Sequence, residues 1–187
     1  FAKKIFNAIM RMPLFMPALV AAFLILNVIA YHGIVNEVLV RIGILSEPLR
    51  LTHDDYGLGV IGIQIWKNLP FQTLIVTSVL ASIQSDLESA AKNLGAGGWQ
   101  VFRDVLFPLS IPGILTGIIL VFIGIFGDYA INTVAGPNYP PSLAIRMYVN
   151  ARTFNDWGQA ACLAIIIMFF AMLYAWLFTR LAKLVVR

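Results

Sequence analysis

The chain has 187 residues, a formal net charge of +4, a single cysteine, 60% hydrophobic residues, 12% charged residues and a mean hydropathy of +0.85. Soluble domains are about 45–50% apolar and about 25% charged, so this composition excludes an ordinary water-soluble globule. Its apolar runs are continuous and do not alternate, which excludes a membrane β-barrel, and the solitary Cys162 excludes an intrachain disulfide or a Cys-x-x-Cys centre.

A helix crosses a hydrocarbon core roughly 30 Å thick with about 20 mainly apolar residues. Four stretches meet that need, at about residues 13–31, 57–82, 111–127 and 158–179, and predict an all-α membrane protein built as one domain over residues 1–187. The leading segment FAKKIFNAIMRMP is basic and amphipathic, with Pro13 suited to the first turn of the span behind it. After the first span, HGIVNEVLVRIGIL places Ile34, Val38 and Ile42 at intervals of four, a short helix whose apolar stripe would lie on the membrane or on neighbouring helices. The run His53, Asp54, Asp55 lacks the further ligands of a metal cage and reads as a solvated loop; no metal site is expected.

The second span is the most polar. Gln64, Asn68 and Gln72 recur every four residues along one face, Lys67 stands beside them near mid-membrane, and Pro70 is placed to kink the helix. Two readings stand open. These groups line a solute pathway, or the amides bond helices together and Lys67 pairs with an acid of a partner chain.

Residues 83–110 form the connection to the third span. Ser85 and Glu88 have capping-box spacing, so a helix is expected from Asp86 to its stop at Gly95. Leu87, Ala90, Ala91 and Leu94 make one apolar ridge along it. A second helix, from Trp99 to Phe107 with Trp99, Phe102, Arg103 and Leu106 on one face, should end at Pro108, giving a bent hairpin. So short a helix needs something to pack against, either its own membrane domain or a soluble partner. Beyond the third span, GPNYPPS marks a turn and LAIRMYVNA a short helix, and the fourth span is nearly pure hydrocarbon.

Lys3, Lys4, Arg11, Lys92, Arg103, Arg180, Lys183 and Arg187 fall on one side of this arrangement, and Arg41, Arg50, Arg146 and Arg152 on the other. Because Lys and Arg gather on the cytoplasmic side, both termini and the 83–110 connection are expected in the cytoplasm.

The stretch ESAAKNLGAGGWQVFRDVLFPLSIPGI resembles the EAA loop of binding-protein-dependent ABC importer permeases: Glu-Ala-Ala, three residues, Gly, nine residues, Ile, one residue, Leu-Pro. Ala90, Ala91, Gly95 and Pro108 match that spacing, Val105 and Phe107 are apolar replacements, and Ser89 stands at the glutamate position with Glu88 one residue earlier. The likeness extends through MPLFMPALVAAFLIL, IWKNLPFQTLIVTSVLASI and SIPGILTGIILVFIGIFGDY, and is nearest to the spermidine/putrescine type. It implies a type I importer fold, with Glu88, Ser89, Ala90, Ala91, Gly95 and Pro108 docking on an ATPase. It also implies that about two spans of a longer permease lie ahead of this region. Implied partners are two ABC ATPase subunits, a second permease subunit of the same or another kind, an extracytoplasmic solute-binding protein and the lipid bilayer, with no nucleic acid. ATP and magnesium would belong to the ATPases, since this chain lacks G-x-x-x-x-G-K-[ST] and would bind no cofactor itself.

Asp128, within the GDY that resembles polyamine-type permeases, joins Gln64, Lys67, Asn68 and Gln72 as a pathway candidate. A mid-membrane ammonium opposes a cationic solute, so anionic and zwitterionic solutes stand beside a polyamine. A stand-alone ion-coupled carrier or channel is the alternative of another class, but it leaves the motif spacing unexplained. Paired carboxylates, a Ser/His/Asp set and a two-histidine metal motif are all missing, so no catalytic residue is expected.

Overall fold

The computed structural model describes residues 10–83 and 85–185. Every regular element among them is helical. Residues 10–15 form a helical segment, followed by α1 (Ala18–Ile29), α2 (Ile34–Arg41), α3 (Leu58–Ser82), α4 (Ser85–Asn93), α5 (Gly98–Val101), a π-helical turn (Phe102–Leu106), α6 (Phe107–Phe126), α7 (Ala130–Ala135), α8 (Leu143–Arg152) and α9 (Trp157–Val185). The chain divides into two compact units, Phe1–Pro70 with Ile125–Phe170 and Phe71–Gly124 with Ala171–Arg187.

Three stretches among the described residues are long and apolar enough to cross a membrane: Ala18–Arg41, Gly98–Phe126 and Trp157–Leu181. The expected second span is a single helix over Leu58–Ser82. Gln64, Lys67, Asn68 and Gln72 keep it from the apolarity of the other three, so three stretches qualify where four were expected. Pro70 is buried inside α3, which continues through it. Pro13 also departs from expectation, since it lies in the helical segment 10–15 and α1 begins only after Pro17.

In the first unit α1 packs on α7. Ala22, Ile63, Ile131, Val134 and Ala135 make the core, flanked by Ala18, Ile25, Leu26, Ile29 and Val60. Helix α2 forms where its periodicity predicted; of the two placements expected for its stripe, Ile34, Val38 and Ile42 do not take the one against neighbouring helices but face outward, exposed, and the residue turned inward is Asn36, which is fully buried. The Asn36 amide donates to Ala30 O and Leu49 O at 3.0 and 2.8 Å and accepts from Leu49 N at 3.0 Å, tying both ends of the loop to the helix. Asn36→Ala leaves three backbone groups without that partner and should destabilise the protein by about 1–3 kcal/mol. A melting midpoint equal to that of the native protein would overturn this. Asp54 lies in a loop, as expected, and from there caps α3, accepting from Leu58 N at 2.8 Å and Gly59 N at 3.3 Å.

In the second unit, α3 and α6 approach through glycine. An added Cβ at Gly113 would strike Val79, and one at Gly117 would strike the Gln72 amide. GILTG at 113–117 is therefore a close-packing motif of the Gly-x-x-x-Gly kind. Phe122 of α6 also packs its ring against Tyr174 and Phe178 of α9, with centroids 5.4 and 5.8 Å apart.

Candidate functional site

The 83–110 connection lies within the second unit and is built by local chemistry. Helix α4 stops where Gly95 adopts φ +87. There Ala96 N donates to Ala91 O at 3.1 Å and Gly95 N to Lys92 O at 2.9 Å, the paired bonds of a Schellman stop. The left-handed turn at Gly95 strains any L side chain by about 1–2 kcal/mol. The capping expected of Ser85 lies outside the described side chains. Past the turn, Gln100 Oε1 accepts from Gly97 N at 2.9 Å and opens α5.

The second arm does not end at Pro108. A proline has no N–H for the carbonyl four residues back and its ring crowds that carbonyl. The wide turn at Phe102–Leu106, closed by Phe107 N on Phe102 O, accommodates both constraints. The helix then runs on, so Gly98–Phe126 is one apolar stretch in place of a separate arm and span. Helix α4 packs against α5 and this turn, and Trp99 stacks on Phe102 with ring centroids 5.5 Å apart.

On the surface of this element Leu94 is 90% and Trp99 70% exposed, and Leu87 and Phe102 also face outward. Ser89, Ala90, Gly95 and Pro108 are exposed, while Glu88 and Ala91 are half-buried. Glu88 Oε1 pairs with Lys92 Nζ at 2.6 Å. An exposed i, i+4 pair contributes only about 0.3–0.5 kcal/mol, so the carboxylate is readily given up to another cation. Ser89 carries no charge to substitute for it.

In the first unit three of the five pathway candidates come together. Gln64 Nε2 donates to Asp128 Oδ2 at 3.0 Å, and Gln64 Oε1 accepts from Asn68 Nδ2 at 3.0 Å. Asp128 Oδ2 also accepts from Ile131 N at 3.1 Å, and Asn132 Nδ2 donates to Asp128 O at 2.8 Å, so the carboxylate anchors the start of α7. The structure thus ties Asp128 to α3. Gln64→Glu would set two carboxylates against each other. It should melt below Gln64→Met, and equal midpoints at neutral pH would count against the pairing.

The other two candidates meet backbone. Lys67 Nζ donates to Met16 O at 2.9 Å and Pro13 O at 3.3 Å. In the second unit, Gln72 Nε2 donates to Ile114 O at 3.1 Å, while its buried Oε1 finds no partner among the described residues. Asn36 and the Gly113–Gly117 pair were not singled out from sequence. The Gly-x-x-x-Gly spacing within an apolar run was the available signal for the second, whereas nothing local marks Asn36.

The profile described as "Binding-protein-dependent transport system inner membrane component" matches residues 1–187. The chain belongs to that family. Among curated inner-membrane relatives, the molybdenum transport system permease protein ModB of Haemophilus influenzae is 26% identical over 98% of this chain and 80% of its own length. The spermidine/putrescine transport system permease protein PotB of the same organism is 35% identical over 56% of this chain and 36% of its own. A bacterial ABC transporter involved in import of the acidic polysaccharide alginate shares the fold, with a TM-score of 0.73 at 17% identity, over 97% of this chain and 66% of that one. This inner-membrane component therefore spans from about a third to four-fifths of the proteins it resembles.

Proposed function

We propose that this chain is a transmembrane permease subunit of an ATP-driven importer, forming part of the solute pathway and receiving movement through α4. The observation that carries the reading is the family match over residues 1–187. The exposed apolar groups of the 83–110 connection support it, because such a surface on a short helix suits a protein groove. Glu88, Ser89, Ala90, Ala91, Gly95 and Pro108 form the docking element in this reading. Two ATPase subunits hold the ATP and magnesium, a second permease subunit completes the pathway, and an extracytoplasmic binding protein delivers the solute. Both ends of the chain face the cytoplasm.

A polyamine is the solute favoured by the 35% identity to the spermidine/putrescine relative. An anionic solute is the second reading. The molybdenum-system relative aligns with 98% of the chain, and Asp128 is held by Gln64 and Ile131 within the protein, which leaves it less free to meet a cation.

Leu94→Cys in the assembled transporter tests the docking element. The thiol should cross-link to an ATPase subunit, whereas Tyr56→Cys, similarly exposed and on the side expected for Arg41 and Arg50, opposite the 83–110 connection, should not. Cross-linking from Tyr56→Cys alone would overturn the orientation and the docking role together.

A further inference from the structure

Lys67 places an ammonium in the polar middle of α3, where a charge inside a membrane is costly unless matched. No ion pair involves it among the described residues. Its Nζ is directed instead at two carbonyls, Met16 O and Pro13 O, at 2.9 and 3.3 Å. Both belong to the place where the helical segment 10–15 bends at Met16 and the chain restarts as α1 behind Pro17.

The cause of that break is written in the residues. In an unbroken helix Pro13 O accepts the N–H of residue 17, but Pro17 has none. Met16 N reaches Pro13 O at 3.4 Å, a long bond. In lipid a carbonyl left this way has no water to turn to. The end of a helix also gathers negative partial charge that favours a cation. Lysine meets both needs, since it supplies donors and carries the matching sign.

We propose that Lys67 is a positioning residue, a cationic cap that closes the Pro13–Pro17 break and fastens the first span to α3, and not a group that meets the solute. This assignment stands apart from the transport reading, because its test reads folding and not uptake.

The test is a double-substitution cycle on the full-length permease in detergent, read as melting midpoints. Lys67→Met should lower the midpoint by about 3–8 °C, and Lys67→Arg, which keeps charge and donors, should recover at least half of that loss. Pro17→Ala restores the missing N–H. It should therefore raise the midpoint more in the Lys67→Met background than in the native chain, by at least about 3 °C. Equal gains in the two backgrounds, or a Lys67→Met midpoint unchanged from native, would overturn the proposal.

Discussion

Gly113→Leu should be among the most destabilising single substitutions in this chain. The Cβ alone would strike Val79 of α3 at its Cβ and both methyl groups, and a branched atom of a stiff side chain cannot swing aside as a flexible end can. Overpacking of this kind costs about 1–3 kcal/mol, occasionally more. Through a helix pair that meets by small residues the only relief is separation of the backbones. For a chain of this size that corresponds to a fall of about 2–12 °C in melting midpoint. Gly117→Leu should act at the same interface by displacing the Gln72 amide from Ile114 O. Gly124→Ala is the control: nothing among the described residues lies within 4 Å of its added Cβ, and alanine is the better helix former by about 1 kcal/mol. A Gly113→Leu midpoint no lower than that of Gly124→Ala would show that α3 and α6 do not meet by close packing.

Ala90→Trp should separate folding from transport. Ala90 is exposed on α4, between Leu87 and Leu94 on the same apolar ridge, so an indole there adds bulk on the outward face beside two exposed leucines. Stability should stay within about 0.5 kcal/mol of native. In the proposed docking the ridge enters a groove on an ATPase with no room for such bulk, so ATP-driven uptake in reconstituted vesicles should fall more than about tenfold. ATP hydrolysis should become insensitive to the solute-binding protein. Native uptake by a correctly inserted Ala90→Trp chain would refute docking through this face. The substitution is a cleaner probe than one at Gly95, where φ +87 adds backbone strain to any loss of contact.

Much of the connection was legible because its determinants are local. Gly95 ends α4 through bonds to residues only a few positions back, and the apolar ridge is a spacing within a single helix. The EAA-like pattern points to the family that matches residues 1–187, since it is a spacing of residues along one segment. Pro108 does not end the helix its chemistry predicts it to end. A proline's missing N–H is a local fact, but whether the chain stops or widens into a π-helical turn depends on the segment beyond it, and here the helix Phe107–Phe126 carries the chain onward.

Helix α2 shows the other limit. Its period predicted the helix, and an apolar stripe is ordinarily the buried one. Here Asn36 turns inward because the Ala30 and Leu49 backbone groups need a partner, and the second of these lies 13 residues away in sequence. In a membrane protein, apolar side chains are at home facing lipid, so the usual sign of the stripe is lost.

That the chain is helical and made for a membrane, where α4 stops, and which family it belongs to are all legible in the residues alone, because composition, period and spacing are properties of neighbouring residues. Only the tertiary structure decided that Lys67 reaches Met16 across 51 positions, that Gln64 joins Asp128 across 64, and that Gly113 meets Val79. Those pairings depend on which groups packing leaves without a hydrogen-bond partner or without room, and a linear chain does not display either.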